Sequence, residues 1–414
     1  MADLRWPGDH RAGDLFTDTE LIGDMLRVET AWLAALTAVG VAPAQAAVVD
    51  IENLVGSIDP DEIAVQAEAG GNPVIPLLAV VRDRLADDHP VAARWLHRGL
   101  TSQDTLDTAI VLGLRRCVGS VLELIDDQVT ALVGLAEEHR STVMAGRTLT
   151  QHAVPITFGL KAAQWLQGIL DARDDLRDAR DRLPAQFGGA AGTLAGPGLL
   201  LQLTGGTGDA ISLTRVAADR LGLPWAPPWH TARAPITRVA DALTRTTDAW
   251  GRAARDVLVL ARPEIAELAE PVESGRGGSS TMPHKVNPIL SVLIRRAALT
   301  APGHAAQLHL AAADSVDERA DGAWHTEWST IATLGRHTVT AASQTAELLT
   351  GLHVDTGRMA RLVDSAGSTL LAEQRSFAGF IGTTTDDFDP AHYLGSSDAI
   401  IDVILERARS GGSR

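Results

Sequence analysis

The stretch TRVADALTRTTDAWGRAARDVLVLAR, from Thr237 to Arg262, decides the fold of this 414-residue chain. It contains no proline, and Gly251 is its one glycine. Its apolar side chains recur at the spacing of one face of an α-helix, at Val239, Leu243, Ala249, Ala253, Val257 and Leu260. The pattern predicts a long helix that packs against other helices.

The same periodicity recurs along the chain, in Val121–His139, Ile289–Ala301 and Ile331–Leu352. Alternating apolar and polar runs, which indicate strands, are nearly absent. We therefore predict an all-α protein with a central bundle of long helices. Breaks rich in glycine and proline divide it into an N-terminal helical domain (1–108), the central bundle (109–352) and a small C-terminal helical domain (353–414).

Composition narrows the classes of function. The net charge of −16 has no basic block to offset it, which argues against a nucleic-acid or anionic-membrane partner. An anionic ligand would therefore need a local cationic pocket. The single cysteine, Cys117, excludes an internal disulfide framework and a thiolate metal cluster. Because the chain has neither an apolar run of membrane length nor a signal peptide, we expect a cytoplasmic protein.

The segment GRGGSSTMPHKVNP, from Gly275 to Pro288, carries the strongest chemical pattern. Its glycines allow backbone N–H groups to approach a ligand closely. Its serines, Lys285 and Asn287 supply what proton abstraction beside a carboxylate requires, namely an oxygen base, a fixed cation and neutral donors. The simpler alternative is a loop between helices that glycine and proline merely punctuate.

Two further polar clusters lie far away in sequence. In His97–Asp104, Thr101 and Ser102 either cap the helix that follows or hold a carboxylate at its start, and the two roles are compatible. In Gly146–Pro155, Arg147 taken alone would be a solvated charge, and His152 taken alone would be a core histidine. Smaller clusters add cations, at Trp229–Arg233, Asp317–Arg319 and Trp324–Trp328.

Several other chemistries lack their sequence patterns. The chain has no HExxH and no CxxC, so we expect no metal site. The glycine-rich loop does not match GxxxxGK[ST], and neither serine lies in GxSxG. A phosphate-cradling loop and a hydrolase nucleophile are therefore disfavoured, and no cofactor is expected.

Taken together, the clusters resemble the fumarase/aspartase superfamily, whose signature has the form GSSxMPxKxNP and here spans Gly278–Pro288. His97–Thr108 and Gly146–Trp165 are similar to its other two site regions. Within the superfamily, TSQD and the blocks at 186–193, 228–231 and 322–328 look like the bacterial 3-carboxy-cis,cis-muconate cycloisomerase branch.

The resemblance implies a homotetramer in which three subunits contribute to each active site. Ser279 would transfer the proton, while Lys285 and Asn287 would stabilise a doubly charged aci-carboxylate intermediate. The resemblance also predicts a set of substrate-binding residues, comprising His97, Thr101, Ser102, Arg147, Gln151, Arg233, Ser280 and Arg319.

Two positions depart from the family pattern. Leu149 stands where many members carry a histidine that transfers a second proton, and leucine has no proton to give. His152, three residues later, is the candidate replacement. Val286 stands where a polar residue is common, and valine there is similar to the fumarase-like branch. Because Leu149 cannot donate a proton, the leaving group should be one that departs without being protonated.

The predicted reaction is that of a 3-carboxy-cis,cis-muconate cycloisomerase of aromatic catabolism, on a small di- or tricarboxylate. The alternative is a lyase that releases fumarate from a succinyl skeleton with an acidic leaving group such as nitrite. Adenylosuccinate cleavage is disfavoured, because its amine leaving group needs the missing acid. A purely structural role is the remaining alternative, and the serine, lysine and asparagine set argues against it.

Overall fold

A computed structural model describes residues 3–411 of the chain, apart from 279, 280, 283, 386 and 388. These residues form fourteen α-helices: α1 (Asp18–Ala38), α2 (Pro60–Gly70), α3 (Val74–Leu85), α4 (Pro90–Trp95), α5 (Ser102–Glu138), α6 (Phe158–Asp181), α7 (Ala195–Thr204), α8 (Ala210–Leu221), α9 (Ala234–Leu260), α10 (Ile289–Ala313), α11 (Ala323–Thr350), α12 (Thr356–Ala366), α13 (Ala372–Ile381) and α14 (Ser397–Ser410). The described strands form two antiparallel pairs, β1 (Val143–Thr148) with β2 (Gln151–Thr157) and β3 (Leu268–Ala269) with β4 (His353–Val354).

The predicted all-α class is confirmed, and so are the long helices. Helix α9 corresponds closely to the stretch that opened the sequence analysis. Helix α10 extends beyond the predicted run Ile289–Ala301, because it continues through Pro302. Its buried residues on both sides of the proline, Ala301 and Leu308, keep the helix packed across it. None of the described helices combines the length and hydropathy that a membrane span requires.

The chain divides into two compact units, each built from three segments. Unit 1 contains residues 1–120, 176–242 and 303–337, and unit 2 contains residues 121–175, 243–302 and 338–414. The division into three domains at 108 and 352 stays a prediction.

The core of unit 1 forms around Trp32 of α1, which is fully buried. Its ring stacks on Phe187 with 5.5 Å between centroids, and its indole N–H donates to the Arg98 carbonyl at 2.8 Å. A large aromatic ring needs such a partner for its polar atom when it is buried. The contact also holds the chain just before α5, where the first predicted site region lies.

The core of unit 2 contains Trp165 of α6 and Trp250 of α9, both almost fully buried. The Trp250 indole donates to Gln128 Oε1 at 2.7 Å, and the Gln128 amide donates to the Ala342 carbonyl at 3.0 Å. The buried Gln128 amide thus joins three helices, α5, α9 and α11. Because its oxygen and its nitrogen both have partners, it avoids the energetic cost of an unsatisfied buried polar group.

The hairpin of β1 and β2 was not predicted from the sequence. Its two-residue turn consists of Leu149 and Thr150, whose φ angles are 49° and 71°. Hairpin turns with two positive φ angles normally carry asparagine, aspartate or glycine. The usual sequence signal for a hairpin is therefore missing here, although the turn geometry is present.

Candidate active site

The first predicted cluster lies at the start of α5 in unit 1. The helix begins at Ser102, so Thr101 immediately precedes it, as the capping interpretation expected. The Thr101 hydroxyl, however, accepts a hydrogen bond from Arg319 Nη2 at 2.6 Å, and the same nitrogen donates to the Ala190 carbonyl at 3.1 Å. Two predicted substrate-binding residues, Thr101 and Arg319, are therefore in contact beside a helix N-terminus, which favours anions.

Asp104 organises this region, and the sequence analysis did not single it out. Its buried carboxylate accepts four hydrogen bonds, from the backbone N–H groups of Thr101, Gly188 and Gly189 and from Nε2 of His230, at 2.8–3.0 Å. An acceptor-only carboxylate with four donors is a fully satisfied buried charge. One feature of the sequence could have identified Asp104. It lies three residues after a helix cap, and an acidic side chain at that position commonly accepts a hydrogen bond from the cap N–H.

Arg233 lies in a buried ion network rather than on an open surface. It is 3% exposed, and its guanidinium donates to both oxygens of Asp107 and both oxygens of Glu327, at 2.5–3.1 Å. Burial alone would lower the pKa of Arg233, but the two carboxylates outweigh it and raise the pKa above its usual value. The described geometry therefore leaves this guanidinium little capacity for substrate.

The Trp324–Trp328 cluster belongs to the same network. The Trp324 indole donates to Asp107 Oδ1 at 2.9 Å, and Glu327 lies on the same helix, α11. Burial raises the pKa of Glu327, and Arg233 opposes that shift. These residues therefore fix α11 against the start of α5. The exposed His325 donates from Nε2 to the Gly71 carbonyl at 2.9 Å.

His97 has a defined partner as well. Its Nδ1 lies 2.7 Å from Oε1 of Glu29, which is 1% exposed and also accepts from the Thr105 hydroxyl at 2.8 Å. The carboxylate orients the imidazole, so that Nε2 remains for another partner. His97 is thus held in place next to the first cluster in sequence. The predicted Ser102 is half-buried, one residue after Thr101.

The second cluster lies on the hairpin of unit 2. Arg147 Nη1 donates to Oε2 of Glu267 at 2.9 Å, and Glu267 is fully buried. One nitrogen of Arg147 is therefore held, while the side chain remains partly exposed. Gln151 and His152 on β2 are exposed, and Leu149 at the turn is 96% exposed.

The third cluster is the signature loop, in which Ser279 and Ser280 lie outside the described residues. Lys285 is exposed, and Asn287 is partly buried. The backbone N–H and the side-chain amide of Asn287 both donate to the Gly277 carbonyl, at 2.8 and 2.9 Å. Gly277 has φ 74°, and a Cβ there would lie 2.5 Å from the Asn287 carbonyl oxygen, so only glycine fits.

The ends of this loop are joined by Glu270. Its carboxylate accepts from the N–H groups of Leu290 and Ser291, at 2.9 and 2.6 Å, and so caps the start of α10. Closer to the serines, Arg276 pairs with Glu347 at 2.5 Å and with Glu273. The described parts of the loop are therefore fixed to the helices around them.

The described scaffold is almost entirely helical, with Thr101 and Arg319 in contact at the start of α5 and Asn287 on a glycine-rich loop, as the resemblance to the fumarase/aspartase superfamily implies. A family model described as "Lyase" matches residues 17–303. The chain belongs to this family, within the fumarase/aspartase superfamily, and is an enzyme of that superfamily.

Similar proteins include two kinds of enzyme. The chain is 42% identical over 362 residues to nitrosuccinate lyase of Streptomyces davaonensis, covering 86% of this chain and 76% of the relative. It is 37% identical over 396 residues to 3-carboxy-cis,cis-muconate cycloisomerase of Bradyrhizobium diazoefficiens, covering 94% and 83%. The crystal structure of 3-carboxy-cis,cis-muconate lactonizing enzyme from Pseudomonas putida superposes with a TM-score of 0.86 at 30% identity, covering 96% of this chain and 97% of that one.

Proposed function

We propose that this enzyme interconverts 3-carboxy-cis,cis-muconate and its lactone. In lactone formation, a substrate carboxylate oxygen adds to a double bond, and a proton is delivered to the carbon beside another carboxylate. In the reverse direction, that proton is removed, the carboxylate beside it takes up a second negative charge, and the C–O bond breaks. The departing carboxylate leaves as an anion.

The observation that carries the proposal is the similarity of nearly the whole chain to a 3-carboxy-cis,cis-muconate cycloisomerase in sequence and to a 3-carboxy-cis,cis-muconate lactonizing enzyme in structure, and Leu149 is compatible with it. Leu149 is 96% exposed at the tip of the hairpin turn, where many superfamily members have a histidine that protonates the leaving group. A carboxylate leaving group needs no proton, so the reaction tolerates leucine at this position. An amine or hydroxide leaving group would need an acid, and for these His152 on the neighbouring strand is the remaining candidate.

The signature residues are proposed to have two separate roles, transfer of the proton and stabilisation of the negative charge. We propose Ser279 as the group that moves the proton and Lys285 as the cation that stabilises both its alkoxide and the aci-carboxylate. Asn287 uses one amide hydrogen to hold Gly277, and its second hydrogen remains for the intermediate. One preorganised donor of this kind is typically worth about 2.7–4 kcal/mol of transition-state stabilisation.

Substrate carboxylates are bound in other regions of the site. Thr101, Ser102 and Arg319 are proposed to bind one carboxylate at the start of α5, with His97 beside them. Arg147, Gln151 and Ser280 are proposed to contact the substrate from the other two regions. Arg233 is proposed to support the first region through Asp107 rather than to touch the substrate.

The proposal is tested by incubating the enzyme with 3-carboxy-cis,cis-muconate and following the ultraviolet absorbance of the diene. Loss of absorbance that requires Ser279 supports it, with Ser279→Ala expected to lose turnover at an unchanged thermal midpoint. Unchanged absorbance at high enzyme concentration contradicts it. A purely structural protein would show no turnover in either form.

A second candidate is elimination of nitrite from nitrosuccinate to give fumarate. It is favoured by the 42% identity to nitrosuccinate lyase, and nitrite, like a carboxylate, leaves as an anion. Incubation with nitrosuccinate and detection of fumarate decides between the two candidates, because the cycloisomerase should leave this substrate unchanged.

The assembly and the setting are part of the proposal. We infer a cytoplasmic homotetramer with shared active sites, acting in aromatic catabolism. Size-exclusion chromatography with light scattering should give four times the chain mass of 43.7 kDa, and a stable monomer with full activity would contradict shared sites.

A further inference from the structure

Arg147 uses only one of its three guanidinium nitrogens within the described part of the chain. Its Nη1 donates to Oε2 of Glu267 at 2.9 Å and to the Ala145 carbonyl at 3.3 Å, and neither Nε nor Nη2 donates to a described residue. Arg233 differs, because all three of its nitrogens donate to carboxylates. The Nε and Nη2 hydrogens of a guanidinium form a side-on fork that matches the two oxygens of a carboxylate. Arg147 therefore keeps an edge with which it can bind a carboxylate through two hydrogen bonds.

The backbone beside Arg147 sets the direction of its side chain. The register of β1 with β2 shifts between Ala145 and Arg147, at Gly146. A Cβ on Gly146 would lie 2.5 Å from the Val154 carbonyl oxygen, so the two strands approach more closely here than a larger residue permits. Such an irregularity bends a strand and redirects the neighbouring side chain. Arg147 then pairs with His152 across the hairpin, and directly opposed residues share a face, so two proposed site residues lie together on one face.

Glu267 is poorly suited to stabilise the fold as a buried charge. Its side chain is fully buried, and while Oε2 accepts from Arg147, Oε1 has no hydrogen-bond partner among the described residues. A buried polar atom without a partner costs free energy, and an apolar residue of similar volume often stabilises a fold at least as well as a buried ion pair. The backbone of Glu267 is fixed without the carboxylate, because its N–H donates to the Leu260 carbonyl at 2.9 Å and its carbonyl accepts from the Asp355 N–H at 3.0 Å. The contact that the carboxylate itself adds is the one to Arg147.

We propose that Glu267 is a positioning residue, which holds Nη1 of Arg147 so that the Nε–Nη2 edge faces a substrate carboxylate. The inference rests on the proposed function, in which Arg147 contacts the substrate. Because Nη1 lies on the other side of the guanidinium from that edge, the tether and a bound carboxylate can be present together. A side chain that is already held loses less conformational freedom on binding, so Glu267 raises the affinity for the carboxylate without touching it.

The test needs a variant without the tether, a conservative variant and a matched control. Glu267→Met removes the carboxylate and keeps a side chain of similar length, whereas Glu267→Gln keeps an oxygen that can accept from Nη1. Asp9→Leu is the control, because Asp9 pairs with Arg336 in a similar environment, with side chains 8% and 13% exposed against 0% and 16% for Glu267 and Arg147. Asp9 belongs to none of the proposed site regions. Arg147→Met, alone and combined with each Glu267 variant, completes a double-variant cycle.

Binding of propane-1,2,3-tricarboxylate and of succinate to the intact enzyme is measured by calorimetry, beside thermal unfolding of each variant. We expect Arg147→Met to raise the Kd of the tricarboxylate by about tenfold or more, as for loss of a hydrogen bond to a charged group. Glu267→Met should raise it by about threefold to tenfold, through the freedom that Arg147 regains, and Glu267→Gln by less. In the Arg147→Met background neither Glu267 variant should change the Kd by more than about twofold, because no guanidinium remains to be positioned. Asp9→Leu should leave the Kd unchanged.

A merely structural role for Glu267 has a different signature. It predicts a lower thermal midpoint with an unchanged Kd, or the same fold-change in Kd with and without Arg147, and either result overturns the proposal. Failure of the unmodified enzyme to bind both carboxylates overturns it as well. If Glu267→Met does not fold, the cycle is read from Glu267→Gln, whose smaller effect must also vanish without Arg147. Coupling of Glu267 and Arg147 in an enzyme that leaves 3-carboxymuconate unchanged keeps the positioning role and removes the proposed reaction, and turnover without coupling does the reverse.

Discussion

Replacing Arg233 by leucine tests how much the buried ion network contributes to stability. The change removes five hydrogen bonds to Asp107 and Glu327 and leaves two carboxylates buried, at 0% and 2% exposure, without their shared guanidinium. Removing one partner of a buried pair costs about 3–5 kcal/mol. For a unit of about 220 residues, with roughly 2–4 °C per kcal/mol, the thermal midpoint should fall by roughly 6–20 °C.

The loss should depend on pH in a defined direction. Burial raises the pKa of Glu327, and Arg233 is the main group that opposes this shift, so the variant has a still higher pKa at this carboxyl. A carboxyl whose pKa is higher in the folded state stabilises the fold below its unfolded value, near 4.5, and loses that contribution as pH rises through the folded pKa. The midpoint should therefore fall less at pH 5 than at pH 8.

The measurement is thermal unfolding of both proteins at the two pH values, followed by circular dichroism. Arg182→Leu is the matched control, because its partner Asp178 and Arg182 itself are both more than half exposed, and such a pair contributes about 0–1 kcal/mol. An Arg233→Leu midpoint within 3 °C of the control at pH 8, or a loss that is the same at both pH values, would refute the reasoning.

Three further outcomes are expected. Gly277→Ala should lower kcat by about tenfold or more, since its methyl group would lie 2.5 Å from the Asn287 carbonyl oxygen, whereas Gly275→Ala, at φ 85° with open space, should keep most activity. Leu149→Asn should raise the thermal midpoint by about 1–4 °C, because asparagine tolerates φ 49° better than leucine; a lower midpoint contradicts this. Cys117, whose pKa burial raises to about 12, should not react with a thiol reagent at pH 8 until the protein is unfolded in guanidinium.

The helices were predictable because a helix with one buried face needs apolar residues at helical spacing along the sequence. Val239, Leu243 and Val257, chosen on spacing alone, are fully buried in α9. The ends of the helices were less predictable. Helix α10 continues through Pro302 because its residues on both sides are packed, and such packing cannot be seen in the local sequence. The β1–β2 hairpin was missed because Leu149 and Thr150 adopt a turn that local preferences disfavour.

The candidate site was only partly visible for a different reason. Residue types in the two loops pointed to Thr101 and Asn287, the resemblance to the superfamily added Arg319, and the contacts of all three come from the structure. The role of Asp104 could not be read from its neighbours, because its partners Gly188 and His230 lie 84 and 126 residues away. Long-range hydrogen bonds of this kind follow from the fold and leave no periodicity in sequence.

Glu270 and the Gly277–Asn287 pair divide the signature loop into two nested closures. The bonds of Glu270 to Leu290 and Ser291 close an outer ring, and the Gly277–Asn287 pair closes an inner one within it. The entropy of closing a loop grows slowly, by about 0.6 kcal/mol for each doubling. One or two residues inserted at 272–275, in the outer ring alone, should therefore add little closure entropy, and the contact they change first is the Glu273–Arg276 pair rather than the Gly277–Asn287 pair.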